Sequence, residues 1–192
     1  MELRDISTLT TPPVERRPVV TEVIPYQERW VQRAIQRELD RGGQVYILHN
    51  RVQDIEDVAN EISSLVPKAI VAVGHGQMPS GALDSVMRSF VQGKSDVLVS
   101  TTIIENGLDV PRANTMIIRN ANRFGLAQLH QLRGRVGRSR ERAFCYLMLP
   151  EHGVEDPTAL ERLRTLERYS MLGAGFRICL LYTSDAADDL RG

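Results

Sequence analysis

The chain is predicted to fold as an α/β domain in which a parallel sheet is covered by helices on both faces. Three observations carry that expectation. Short β-branched runs recur along the sequence, amphipathic stretches with three-to-four spacing separate them, and glycine or polar breaks mark the junctions. Strand and helix in alternation imply right-handed crossovers and a parallel sheet buried on both sides.

Residues 1–18 are irregular, because Thr10-Thr11-Pro12-Pro13 breaks structure and Glu15-Arg16-Arg17-Pro18 stays polar, so they read as a linker. Strands are expected at 19–24, 44–49, 69–73, 96–100, 114–118 and 143–149, the short runs of Val, Ile, Leu and Tyr. The first helix is expected at 27–41, where Trp30, Val31, Ala34, Ile35 and Leu39 recur at helical spacing before the stop signal Gly42-Gly43. Residues 52–65 and 79–91 follow the same rule, the latter with Leu83, Val86, Met87, Phe90 and Val91 on its apolar stripe.

The 192 residues are 42% hydrophobic and 25% charged, enough for one domain with a sizeable core and too apolar for disorder throughout. Twenty-four basic residues balance twenty-four acidic ones, so a nucleic-acid partner would be met by a local patch and not by a global field. Cys145 and Cys179 lack metal-ligand spacing. With neither an amino-terminal signal stretch nor an apolar run of membrane-spanning length, the cytoplasm is the expected location.

In parallel sheets, ligands gather at the carboxyl ends of the strands. That rule puts weight on Asn50 and Arg51, on 74–78, on 101–109 and on the residues after Ile118. Tyr46-Ile47-Leu48-His49-Asn50-Arg51 is a hydrophobic strand emptying into polar residues; a strand leading to a helix capped at Asp54 explains most of it without a ligand. In Gly74-His75-Gly76-Gln77-Met78, two glycines permit a sharp strand-to-helix turn, and His75 and Gln77 can reach a phosphate or sugar. An ordinary turn is the alternative, and no second ligand supports a metal at His75. Past the strand ending at Ser100, Thr101 and Thr102 offer hydroxyl and backbone donors to a phosphate, Gly107 allows close approach, and Asp109 is placed to accept from a ribose hydroxyl. The competing reading is a capped short helix and a turn before Pro111.

The densest basic segment has arginine at 133, 135, 138, 140 and 142, interleaved with Gly134 and Gly137. A solvated basic helix end is the ordinary reading of such a cluster. The glycines argue against it, since each costs about 1 kcal/mol in a helix. With the guanidiniums of Arg135 and Arg138 three apart on one helical turn, both can address one anion. Gly93-Lys94-Ser95 has the tail of a phosphate-binding loop but precedes a strand, and the glycine required five positions earlier is Arg88. No Walker A sequence and no Asp-Glu box in strand context occur, so the chain carries half of a nucleotide site.

Gln131-Leu132-Arg133-Gly134-Arg135-Val136-Gly137-Arg138 fills every fixed position of motif VI of superfamily 2 helicases, and the segments around Thr101 and Tyr46 resemble motifs V and IV. From residue 3 to 176 the chain resembles the second RecA-like motor domain of the bacterial transcription-repair coupling factor family, and less closely that of branch-migration helicases. The longest shared words are Gly74-His75-Gly76-Gln77-Met78, Thr101-Thr102-Ile103-Ile104-Glu105 and Phe124-Gly125-Leu126-Ala127-Gln128-Leu129-His130-Gln131-Leu132. The resemblance implies a RecA-like sheet at 19–152, preceded by a linker from a first motor domain and followed at 153–177 by the start of a helical translocation region.

It further implies that Arg135 and Arg138 act on the γ-phosphate of ATP, with Gly107, Asp109, Gln131 and Gly134 around the nucleotide. Asn50, Arg51, His75, Gln77, Thr101 and Thr102 would hold DNA. ATP and Mg2+ would be held mainly by the first motor domain, so this chain alone is expected to be inactive. Double-stranded DNA, RNA polymerase and excision-repair proteins are the implied partners of the parent protein. Another superfamily 2 helicase domain, a branch-migration helicase among them, and a non-catalytic nucleic-acid-binding module are the alternatives. The family usually has Thr where this chain has Asn106, and residues 178–192 depart from the family and read as an artefactual tail.

Overall fold

A computed structural model describes residues 17–101 and 109–170. The strands are β1 (Val20–Pro25), β2 (Gln44–Leu48), β3 (Val71–Gly74), β4 (Val97–Ser100), β5 (Ala113–Ile118) and β6 (Phe144–Leu149). The helices are α1 (Glu28–Asp40), α2 (Ile55–Leu65), α3 (Ser80–Val91), α4 (Leu126–Arg133) and α5 (Pro157–Arg168). The sheet is parallel throughout, in the order β1-β6-β5-β2-β4-β3. The expected α/β class and all six expected strands are present, each within about two residues of its expected bounds, the usual uncertainty of element ends.

This order explains why both faces are covered. The chain steps one way across the sheet from β1 to β2 to β3, then reverses from β4 to β5 to β6. Right-handed crossovers therefore put α1 and α2 on one face and α3 and α4 on the other. Side chains alternate accordingly. Val45, Ile47, Val97, Val99 and Ile117 meet Val31, Ile35, Val58 and Ile62 of α1 and α2. Tyr46, Leu48, Leu98, Met116 and Ile118 meet Phe90, Leu129 and Leu132 of α3 and α4, joined by Leu163 and Leu166 of α5. Because α5 packs into this second cluster, it belongs to the same body as the sheet.

The first helix stops as its glycines suggest. Gly43 N–H donates to the Glu38 carbonyl and Gly42 N–H to the Leu39 carbonyl, both at 2.9 Å, with Gly42 at φ +75°. On its apolar stripe Trp30 is 42% exposed, and Leu39 is partly buried against the cluster shared with α2. The place on that face belongs to Glu38, fully buried, whose carboxylate accepts from Arg41 Nε at 3.1 Å and from Thr115 Oγ1 at 2.5 Å.

Candidate functional site

Two groups of candidate residues occupy opposite edges of the sheet. Leu48 is in register with Ser100 and Ile118, and Ser100 with Gly74, so His49, Thr101, Arg119 and His75 form one row just past the strand ends. Asn50, Arg51, His75, Gln77 and Thr101 lie on or beside this carboxyl edge. Thr102 and Gly107 fall outside the described residues.

The edge is rich in unmet hydrogen bonding. Of the nine buried side-chain polar atoms that lack a partner among the described residues, five lie along it: His49 Nδ1, Asn50 Oδ1, His75 Nδ1, Ser100 Oγ and Asn122 Oδ1. A buried polar group left unpaired costs about 1–3 kcal/mol, so among the described residues this edge is where polar partners are most wanted.

Asp54 stands at the start of α2, but its side chain makes no capping bond to that helix, contrary to the expectation from sequence. It turns back to His49 Nε2 at 2.8 Å and Arg51 at 3.3 Å. Burial acts to raise the Asp54 carboxyl; the hydrogen bond and charge of His49, its own backbone N–H and Arg51 outweigh that and hold it below the usual carboxylate range. Gly74 has a packing role, since a Cβ there would lie 3.3 Å from Leu83 Cδ1 where α3 crosses the strand end.

The arginine motif lies at the other edge. Ser139 Oγ donates to Asn114 Oδ1 at 2.8 Å beside the first residues of β5, and a Cβ on Gly137 would meet Val19 and Ala143, just ahead of β1 and β6. Asp109 is here too and not at the carboxyl edge where the strand-end rule set it: its Oδ1 is 3.0 Å from Arg138 Nε. The rule fails because Asp109 lies close before β5, which starts at the opposite edge from the one where β4 ends. Arg138 and Asp109 are 32% and 57% exposed, so the pair is open to solvent. Arg135 is half-buried; its charge and that of Asp109 act on the Tyr46 hydroxyl in opposite senses, while burial, the largest influence, pushes that hydroxyl up. Gln131 and Gly134 are exposed on the approach to this turn.

Arg135 and Arg138 do not share a helical turn, a correction to the spacing argument. α4 ends at Arg133, Gly134 caps it, and Arg135 N–H and Val136 N–H bond back three residues in a tighter turn before Gly137 at φ +79°. A residue that sequence reasoning passed over is Arg133. It is buried, and its Nη1 donates to the carbonyls of Leu166 at 3.2 Å and Tyr169 at 3.4 Å, while Nη2 donates to His130 Nδ1 at 3.1 Å. Nothing in the run of arginines distinguishes it, because the carbonyls that hold it lie 33 and 36 residues further along the chain.

A parallel sheet with the ends of two sequence motifs joined by Asp109 and Arg138 defines a class, and the chain belongs to the helicase C-terminal domain family: the family profile described as Helicase conserved C-terminal domain matches residues 28–140. The transcription-repair-coupling factor of Bacillus subtilis (strain 168) is 52% identical over 178 residues, covering 93% of this chain and 15% of that protein. That of Myxococcus xanthus is 48% identical, covering 92% of this chain and 15% of the relative. The chain thus spans about 15% of the length of the curated relatives it matches. The solved structure of RecG bound to a three-way DNA junction is 40% identical with a TM-score of 0.73, over 86% of this chain and 22% of that one. The sheet is the RecA-like helicase C-terminal fold. A Dbp5 structure, 17% identical with a TM-score of 0.59, shares the fold alone. Among the described residues, no helix is long and apolar enough to cross a membrane.

Proposed function

We propose that this chain is the C-terminal motor half of an ATP-dependent double-stranded DNA translocase acting in transcription-coupled repair, with residues 19–152 as the motor domain and 153–177 as the start of a translocation region. The observation that carries this reading is the Asp109–Arg138 pair, which brings the end of motif V and the end of motif VI together in the open, with Asp109 and Arg135 both acting on the Tyr46 hydroxyl.

The residues fit a nucleoside triphosphate. Guanidiniums suit phosphate oxygens, the Asp109 carboxylate suits ribose hydroxyls, and the exposed glycine at 134 leaves backbone accessible. ATP with Mg2+ would supply the phosphoryl-transfer chemistry from a site held mainly by a first motor domain. Arg135 and Arg138 would face the terminal phosphate, the Arg138–Asp109 pair setting the guanidinium's direction until the cleft closes. Gln131 and Gly134 approach the same site, with Gly107 assigned to it by the motif. On the opposite edge, Asn50, Arg51, His75, Gln77, Thr101 and Thr102 would hold one DNA strand by its phosphates, which carries no base information. Nucleotide and DNA thus address opposite ends of the strands, and rotation of the domain about the nucleotide would displace the DNA edge by the longest available lever. RNA polymerase and excision-repair proteins are the partners of the parent protein in this reading, and the cytoplasm its location.

The similarity to RecG favours branch-migration activity as the second reading, since that structure is a DNA junction complex. A fusion of this chain to a matching first motor domain tests the first. DNA-stimulated ATP hydrolysis is expected in the fusion and not in the isolated chain. Arg138→Ala should lower turnover by about 10³-fold or more while ATP binding persists. Unchanged turnover in that variant removes the finger assignment.

A further inference from the structure

We propose that the crevice between the carboxyl ends of β2 and β5 is a seat for one phosphate of the nucleic-acid backbone, in which Asn122 and Arg123 act together with Asn50 and Arg51. The inference rests on the DNA-gripping reading above and adds to it a pair of residues from a segment outside the motifs.

Topology makes the crevice. β2 and β5 are neighbours, yet the chain leaves β2 toward α2 on one face and leaves β5 toward α4 on the other. Their loops diverge, and a gap opens where the strand order reverses, the place where open α/β sheets take ligands. The gap has a volume of about 160 Å3 and is lined by His49, Asn50 and Arg51 just after β2 and by Asn120, Asn122 and Arg123 just after β5. Asn120 turns the chain there in the left-handed region, at φ 49°, and Ala121–Arg123 follows as one 3-10 turn. This turn, and no periodic pattern, aims the segment at the gap.

The lining calls for a polar occupant. His49 is 4% exposed, its Nε2 is taken by Asp54, and its Nδ1 has no partner among the described residues. Asn50 Oδ1 and Asn122 Oδ1 are likewise buried and unmet. Rotating either amide by a half-turn presents N–H groups in place of the oxygen, so the pair can donate to an anion without backbone change. Two arginines, Arg51 and Arg123, flank the gap against one carboxylate, Asp54, so the lining keeps an excess of positive charge for a ligand. A phosphate diester matches the size of the gap, the guanidinium charge and the amide N–H donors; His49, whose Nε2–H is given to Asp54, shapes the wall and does not donate to the ligand.

The test uses the full 192-residue chain and a labelled random-sequence DNA duplex, with affinity followed by anisotropy over a range of KCl. Arg123→Ala should weaken binding about fivefold or more and reduce the slope of log K against log salt by about 0.9, the signature of one lost phosphate contact. Arg123→Lys should keep the slope, and Asn122→Ala should weaken binding while leaving it unchanged. His75→Ala is the control for the broader reading. If His75→Ala weakens binding and Arg123→Ala changes neither affinity nor slope, the crevice assignment is wrong and the DNA edge stands. A wild-type chain that binds no duplex overturns both. Inorganic phosphate that shifts the His49 ring resonances while Arg123→Ala leaves duplex affinity intact marks an anion pocket unrelated to DNA, and also overturns the proposal.

Discussion

Gly134 and Gly137 look alike in the sequence and differ in the structure. Gly134 has ordinary helical φ of −65°, and a Cβ there would meet only backbone oxygens of the preceding turn, the nearest at 3.3 Å. Gly137 combines φ +79° with a Cβ position 3.1 Å from Val19 Cγ2 and 3.2 Å from Ala143 Cβ. Gly137→Ala is therefore expected to destabilise the fold by about 1–2 kcal/mol from the left-handed backbone alone, whereas Gly134→Ala should change stability by less than about 1 kcal/mol. Urea denaturation of the two variants separates them; equal losses would mean that close packing at Gly137 has no consequence. The same distinction runs through the arginines. Arg138 faces solvent with Asp109, and Arg133 is sealed beneath α5. One-letter spacing placed both on one basic patch because it holds no information about depth.

At the scale of elements, the junction of α4 with α5 depends on a neutral histidine. Arg133 can only donate, so His130 Nδ1 must accept and the ring must be uncharged. Burial, and after it the Arg133 charge, lowers the His130 pKa from its ordinary 6.5. The unfolded chain then binds a proton that the folded chain resists, so this contribution to stability is full above 6.5 and is lost as pH falls through it toward the lower folded value. The melting temperature of wild type should drop on acidification below about 6.5, and His130→Gln, which keeps an acceptor and cannot titrate, should lose part of that drop. An identical pH profile in the variant would show that His130 takes no part.

α1 illustrates the opposite case, an element whose end was readable and whose buried face was not. Gly42-Gly43 announces the stop, but the need for glycine at 43 comes from Glu38, whose Oε1 would lie 1.8 Å from an added Cβ. A carboxylate is ordinarily placed outside. Here Arg41 and Thr115 of a neighbouring strand satisfy it, and Thr115 is a tertiary partner that helical periodicity cannot see.

Over the whole molecule, the sheet and its two apolar layers enclose Cys145, fully buried on β6 in the layer that includes α4 and α5. Burial pushes its thiol up to about 12, the Arg133 charge working the other way. Alkylation at Cys145, mapped by mass spectrometry, is accordingly expected to track global unfolding in urea and to be negligible in the native state. Rapid native-state labelling at that residue would contradict the packing of β6 beneath α4 and α5.

The sequence by itself determined the α/β class, the six strands, the first three helices and the family motifs, because strand and helix periodicity and short motifs are local, written in neighbouring residues. Only the tertiary structure decided that the arginine motif and the loops after β2 and β3 sit at opposite edges of the sheet, that Asp109 joins the former, and that Asn50 and Asn122 share a crevice. Those pairings follow from strand order and crossover hand, which bring together residues far apart in the chain and leave no mark on the spacing of either.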